Sequence, residues 1–240
     1  VVDRVEIADL NGDGRPDIAL AEERYPGHEP NSNLRVFLAG TDPVNGPWEH
    51  RVVVTQWSMN NLDAMDMDRD GDVDLITNEH MGEEHKTEIY LNDGSANFSP
   101  QLAGTGHEMH LGAKCFDMDS DGDLDVMITQ PGRELKLYRN DQQTGHHWLR
   151  VRLEGTSDNR NAIGAVLELT SGDTTQRRLI TSGRSFLSQV EFPITFGLGA
   201  NDRVDSLSIT WPGGQKQSVT VDSVDRQITI TQPSTQTNAN

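Results

Sequence analysis

The sequence lacks the features that identify disulfide-rich, membrane-spanning and nucleic-acid-binding proteins. It holds one cysteine, Cys115, in 240 residues, so an intrachain disulfide is excluded. No apolar run approaches the roughly 18 residues that a membrane-spanning helix needs. The 38 acidic residues outnumber the 20 basic ones, and the net charge of −18 argues against a phosphate-rich partner. We therefore expect no transmembrane segment and no nucleic-acid partner.

Hydrophobic residues are also scarce, at 34% of the chain, and aromatic residues make up 5%. With the 22 glycines, the apolar share stays slightly under the usual globular value of about 45–50%. The chain can bury a core of modest size, and a feature other than sulfur must help to hold it together.

The acidic residues are concentrated in three segments with one nine-residue spacing. We call them loop 1 (residues 9–17), loop 2 (residues 66–74) and loop 3 (residues 117–125), and they contain thirteen of the 38 acidic residues. Like charges at this density repel one another strongly unless a counter-ion is bound. A bound cation resolves that repulsion.

The spacing within the loops indicates calcium. Oxygen donors at positions 1, 3 and 5, a glycine at 6 and a backbone carbonyl at 7 match the first half of an EF-hand loop. The loops depart from the EF-hand afterwards, because their next anionic side chain stands at position 9 and not at 12. The predicted ligands of about three Ca²⁺ ions are Asp9, Asn11, Asp13, Arg15 and Asp17; Asp66, Asp68, Asp70, Asp72 and Asp74; and Asp117, Asp119, Asp121, Asp123 and Asp125.

Two alternatives remain open for these loops. A solvated acidic turn explains a single copy, since Asp, Asn and Gly are common in turns, but it explains three identical spacings poorly. Mg²⁺ is the other cation, although a cage made only of protein oxygens favours calcium.

Short β-rich runs follow each loop, so each loop joins two strands and not two helices. The loops begin 57 and 51 residues apart, a period typical of propeller blades. With their flanking strands and Asn-Asp turns, these units resemble the FG-GAP or VCBS repeat. The resemblance covers residues 1–145, with repeats at about 1–54, 55–106 and 107–145, and implies propeller blades braced by calcium.

Three blades are fewer than a closed propeller contains. The chain is therefore expected to be part of a larger molecule, to pack its blades on its own second domain, or to cover them with another copy of itself.

The second half changes character, with seven short strand patterns separated by turns, which favours a β-sandwich or small barrel. This half resembles the ASPIC/UnbV domain, which often follows VCBS repeats in secreted proteins related to cartilage acidic protein. The matching segments are residues 161–165, 182–185 with 188–189, 196–199 and 209–214. We expect an all-β fold, with propeller-type blades followed by a β-sandwich at residues 146–231 and a polar tail at 232–240.

Other candidate sites are weaker. His80 and Glu79 with His110 are one possible polar cleft or zinc site, and Trp57 with Tyr25 is a possible sugar-stacking surface. Solvated loop residues explain the histidines, including His85 and His107, more simply, because no helix aligns the imidazoles. No nucleophile elbow surrounds Ser185 or Ser188, and Cys115 precedes loop 3 as a small buried residue.

The sequence thus predicts a non-enzymatic, calcium-stabilised protein of the extracellular space or cell surface. The predicted role is structural or adhesive, as a subunit of a self-assembling filament or fibre. An extracellular protein or a glycan is the other expected partner, and the alternative function is a carbohydrate-binding module of a secreted protein.

Overall fold

The structure is a computed structural model that describes residues 2–24, 31–79, 86–104, 112–130, 132–183 and 189–234. These residues form eighteen β-strands and no helix, so none of them provides a helix that could cross a bilayer. The predicted all-β class is confirmed.

The first half forms three antiparallel sheets in which neighbouring strands follow one another along the chain. Blade 1 comprises β1 (Val2–Ala8), β2 (Asp17–Glu22), β3 (Ser32–Ala39) and β4 (Trp48–Gln56). Blade 2 comprises β5 (Met59–Met65), β6 (Asp74–Glu79), β7 (Thr87–Asn92) and β8 (Phe98–Gly104). Blade 3 has three strands, β9 (Gly112–Phe116), β10 (Asp125–Thr129) and β11 (Lys136–Tyr138). Each acidic loop joins the first two strands of its blade, as predicted.

Blade 2 lies between its neighbours and buries both faces. One face packs Leu62, Leu75 and Tyr90 against blade 1, and the other packs Met65 and Ile76 against blade 3. Alternating side chains on a strand point to opposite faces, which is why β6 is buried along its whole length. Each fully buried large aliphatic side chain stabilises the fold by about 1.5–3 kcal/mol.

Asparagine side chains connect blades 2 and 3 to the acidic loop of the preceding blade. The Asn92 amide donates to the carbonyl of Leu10 in loop 1, at 2.8 Å, and to that of Val73 in its own loop, at 3.0 Å. The Asn140 amide repeats the pattern with Met67 and Leu124, both at 3.4 Å. The acidic loops are therefore also the points where adjacent blades are joined.

The second half forms two sheets that share one core. Their strands are β12 (His147–Glu154), β13 (Val166–Ser171), β14 (Thr174–Leu179), β15 (Ile194–Gly199), β16 (Ser206–Thr210), β17 (Lys216–Val219) and β18 (Arg226–Thr231). One sheet has the order β15-β12-β18, with β12 and β18 parallel, and the other has the order β14-β13-β16-β17. We call this unit the C-terminal sandwich.

Large side chains from both sheets fill the sandwich core, among them Leu149, Leu167, Phe196 and Trp211. The Trp211 indole nitrogen is satisfied by Gln217 Oε1 at 2.9 Å, so this ring is buried without an unpaired donor. All seven strand patterns predicted from the sequence correspond to strands of the sandwich.

The predicted domain limits at residues 145 and 231 remain predictions. Strand β12 begins at His147, and β18 ends at Thr231. Gln232 follows directly, is buried, and accepts the backbone N–H of Thr156 at 3.0 Å. Of the polar tail, residues 235–240 lie outside the described residues.

Candidate metal centre

The three acidic loops share several internal hydrogen bonds. At position 1, the Oδ2 atom accepts the backbone N–H of the position-6 glycine, at distances between 2.7 and 3.3 Å. At position 5, the Oδ1 atom accepts the N–H of position 7, at 2.8 or 2.9 Å. The position-1 and position-6 pairs are Asp9 and Gly14, Asp66 and Gly71, and Asp117 and Gly122. Equal spacing in the sequence thus produces the same two hydrogen bonds in each loop.

The position-9 aspartates, Asp17, Asp74 and Asp125, have no exposed surface. Each Oδ2 accepts the backbone N–H of position 2 at 2.7–2.9 Å. Each Oδ1 accepts an N–H at the end of the third strand, from Ala39, Asn92 or Asn140, at 2.7–2.8 Å. This carboxylate therefore closes the loop onto its own blade.

Carboxylates converge in two of the loops. In loop 2, single oxygens of Asp66, Asp68 and Asp74 lie within 4.8 Å of one another, and loop 3 repeats this at positions 1, 3 and 9. The loop 3 residues are Asp117, Asp119 and Asp125. The predicted position-5 ligands Asp70 and Asp121 lie outside these groups.

Loop 1 contains no such group among the described His, Cys, Asp and Glu side chains. Position 3 of loop 1 is Asn11, which offers an uncharged oxygen ligand. Asp13 at position 5 forms an ion pair with Arg15. Arg15 also donates from Nε to the Ala39 carbonyl at 3.0 Å, so its side chain lies along the blade. Loop 1 is the least anionic of the three.

Burial raises the pKa values of several carboxylates in the acidic loops. Desolvation raises the pKa of Asp66 to about 7, that of Asp72 to about 6 and that of Asp74 to about 9. It also raises the pKa values of Asp17 and Asp117, with neighbouring carboxylates adding to the effect. A cation beside these groups would stabilise their charged forms and oppose the shift.

Asp66 provides the observation that tests whether a cation fits. Its Oδ2 accepts two N–H groups, but its Oδ1 is buried and has no hydrogen-bond partner. The equivalent Oδ1 atoms of Asp9 and Asp117 accept donors from their own loops, at 3.1 and 2.7 Å. An unpaired buried carboxylate oxygen is costly, and a hard cation is the partner that such oxygens bind. The residues of loop 2 therefore fit a bound calcium ion.

Arginines form ion pairs with the aspartates of loop 3. Arg139 lies 3.0 Å from Asp119, and Arg150 lies 3.4 Å from Asp117. Arg69 lies 2.9 Å from Asp123 at position 7. Among the residues that the structure describes, no lysine or arginine forms an ion pair with the five aspartates of loop 2.

Most of the other candidate residues named from the sequence lie outside the part of the chain that the structure describes. Tyr25, His80, His85, His107, His110, Ser185 and Ser188 lie outside the described residues. Glu79 is buried and Trp57 is half-buried. The predicted zinc and sugar sites therefore remain predictions.

The sequence reasoning missed the residues of the sandwich that touch the loops. Gly197 and Gly199 donate to loop 2, and the Trp148 ring covers Gly122 of loop 3. The Phe196-Gly-Leu-Gly199 segment was noticeable in the sequence, but its spacing gives no indication of a partner 131 residues away.

Two protein families match this chain. The FG-GAP-like repeat matches residues 9–77 and 66–128, and the ASPIC and UnbV family matches residues 155–237. The first match spans loops 1, 2 and 3, and the second spans most of the C-terminal sandwich.

Similar proteins include three named "Cartilage acidic protein 1". The one from Xenopus tropicalis is 29% identical over 235 residues, covering 88% of this chain and 34% of the relative. Those from Mus musculus and Homo sapiens are each 27% identical over 243 residues, covering 91% of this chain and 35% and 34% of the relatives. The chain thus spans about a third of the length of these relatives.

Proposed function

Because this chain belongs to the FG-GAP-like repeat family and carries an ASPIC and UnbV domain, we propose that it is a calcium-stabilised structural protein of the extracellular space. Calcium holds the three acidic loops in place, and the loops in turn hold the blades together. The protein acts as a scaffold and not as an enzyme.

One observation carries this proposal: Asp66 Oδ1 is buried without a donor in a loop where three carboxylates converge. Asp66, Asp68 and Asp74 would hold the ion in loop 2, and Asp117, Asp119 and Asp125 would hold it in loop 3, with Asp70 and Asp121 at position 5 as the further ligands that the spacing predicts. In loop 1, Asp9, Asn11 and Asp17 are the corresponding oxygen donors. When bound, the ion supplies positive charge beside carboxylates that the fold brings together.

The proposed location agrees with the chemistry of the site. The name of the relatives refers to cartilage and to acidity, and this chain has a net charge of −18. Extracellular calcium-binding modules operate at Kd values of about 10⁻⁴–10⁻³ M, so modest affinity suffices there. The position-9 carboxylates accept two backbone donors each, which is a structural and not a catalytic use of an acid.

Titration calorimetry with calcium chloride tests the proposal. We expect the Asp70→Ala variant to bind about one ion fewer than the wild type, since position 5 is a calcium ligand in such loops. Asp202→Ala serves as the matched control, because Asp202 is exposed and lies outside the loops. Equal binding by the wild type and Asp70→Ala would contradict the assignment of loop 2.

We also propose that copies of the chain associate through the outer face of blade 1. Val5 and Ile7 are 50% and 68% exposed, and the strand register places them opposite Leu20 and Ile18 on one face. Val52 on β4 is 47% exposed. The register places Arg35 between Leu20 and Val52 on this face, and exposed apolar side chains grouped on one face are typical of a protein interface.

Sedimentation velocity in calcium-containing buffer tests the association. The wild type is expected to form oligomers, and Ile7→Lys is expected to shift them to monomers because it places a charge on the face. Val44→Lys is the control, since Val44 is 86% exposed on the turn between β3 and β4 and outside the strands of that face. A monodisperse wild-type monomer would contradict self-association. The carbohydrate-binding alternative has no comparable support among the described residues.

A further inference from the structure

Strand β15 of the C-terminal sandwich contacts loop 2 through its backbone. The N–H of Gly197 donates to Asp66 Oδ2 at 3.0 Å, across 131 residues of sequence. The N–H of Gly199 donates to the carbonyl of Arg69 at 2.9 Å. These two bonds form a joint between the sandwich and the repeats, and we call it the loop 2 joint.

No side chain fits at the centre of this joint. A Cβ atom on Gly197 would lie 2.1 Å from Asp66 Oδ2 and 2.5 Å from the backbone of Arg69. On the other side, Gln176 Nε2 donates to the Gly197 carbonyl at 2.6 Å. The backbone of β15 is therefore held between loop 2 and its own domain.

The other loops meet the sandwich differently. In loop 1, both oxygens of Asp9 accept donors from the loop itself, at 3.1 and 2.7 Å. In loop 3, Arg150 of the sandwich brings a positive charge to Asp117, at 3.4 Å, and contacts Glu191 as well. The two bonds of the loop 2 joint come from backbone N–H groups, and Arg178 of the sandwich acts on Asp66 by its charge, without a salt bridge between these two described residues.

We propose that the cation bound by loop 2 controls the docking of the C-terminal sandwich on the repeats. This inference rests on the proposed calcium binding and adds that one of the sites has an interdomain role. Asp66 would contact the ion through Oδ1 while Oδ2 receives Gly197. The ion thus holds one carboxylate in the orientation that the joint requires.

The expected behaviour of loop 2 without a bound cation explains why the joint depends on the ion. Without a cation, the charged carboxylates of Asp66, Asp68 and Asp74 lie close together with no salt bridge among the described residues, and they repel one another. Separation of the side chains relieves this repulsion. Movement of Asp66 breaks its bond to Gly197, because hydrogen bonds weaken steeply with distance and angle.

Hydrogen exchange measured by mass spectrometry tests this coupling on the full chain. The reporter is the peptide that contains Gly197 and Gly199, compared in excess calcium and in excess chelator. Asp70→Ala in loop 2 is compared with Asp13→Ala and Asp121→Ala at the same position of the other loops. Each variant loses one equivalent bond to position 7, which makes the three well matched.

We expect chelation to raise exchange of the reporter peptide about tenfold or more, since local opening governs exchange. Asp70→Ala should give the fast rate even in calcium, whereas Asp13→Ala and Asp121→Ala should keep the slow rate. If Asp70→Ala does not fold, a calcium titration of the wild type gives the same reading, with exchange slowing as loop 2 fills.

The experiments distinguish a failure of the proposed coupling from a failure of the proposed function. If calcium binds in calorimetry but the reporter peptide exchanges equally in calcium and chelator, the coupling is wrong and the proposed function stands. If calcium does not bind at all, the proposed function itself is wrong. Equal effects of Asp70→Ala and Asp13→Ala on the reporter would also overturn the inference.

Discussion

Asp74→Ala is expected to lower the free energy of unfolding by about 3–5 kcal/mol in calcium-containing buffer. The Asp74 carboxylate has no exposed surface and accepts the N–H groups of Met67 at 2.7 Å and Asn92 at 2.8 Å. Alanine leaves both donors buried without an acceptor, and each unsatisfied group costs about 1–3 kcal/mol. It also removes one proposed ligand of the loop 2 ion.

Two further variants separate these contributions. Asp74→Asn keeps one acceptor oxygen but places an amide N–H₂ against a backbone donor, so its loss should be intermediate. Asp202→Ala removes an exposed carboxylate and should change stability by less than about 0.5 kcal/mol. Chemical denaturation of all four proteins measures the series. An Asp74→Ala variant as stable as Asp202→Ala would contradict the structural role of position 9.

Gly122→Ala is expected to have the second largest effect, with a loss of at least about 3 kcal/mol. Gly122 has a φ of +90°, in the left-handed region that disfavours a side chain. A Cβ there would also lie 2.1 Å from the ring of Trp148, which is 7% exposed and belongs to the C-terminal sandwich. Alanine therefore adds a backbone cost and a clash between the two domains.

Gly14 provides a matched control at the same loop position. Its φ of +82° is similar, but nothing lies within 4 Å of its added Cβ. Gly14→Ala should therefore show the backbone cost alone, about 1–2 kcal/mol. Thermal unfolding of the two variants measures the difference. If both lose the same stability, loop 3 does not support the sandwich through Trp148.

The loops and strands were predictable because their determinants are local. The repeated spacing of Asp, Asn and Gly fixes the hydrogen bonds within each loop, for example those of Asp66 with Gly71. Alternating apolar residues likewise indicate strands such as β13 and β16. These signals lie within about ten residues of each other, so a single sequence contains them.

The differences between the loops were not predictable in the same way. They depend on Arg150, Gly197 and Trp148, which are far from the loops in sequence and meet them only in the folded chain. The sequence predicted three equivalent calcium loops. The described structure shows one loop with an arginine at position 7, one without an ion pair among the described residues, and one surrounded by arginines.

The wild-type calcium titration tests the central claim most directly. The account predicts binding of about three ions per chain, together with a rise in melting temperature, because a ligand bound only to the folded state stabilises it by mass action. No binding heat and equal melting temperatures in calcium and in chelator would contradict it.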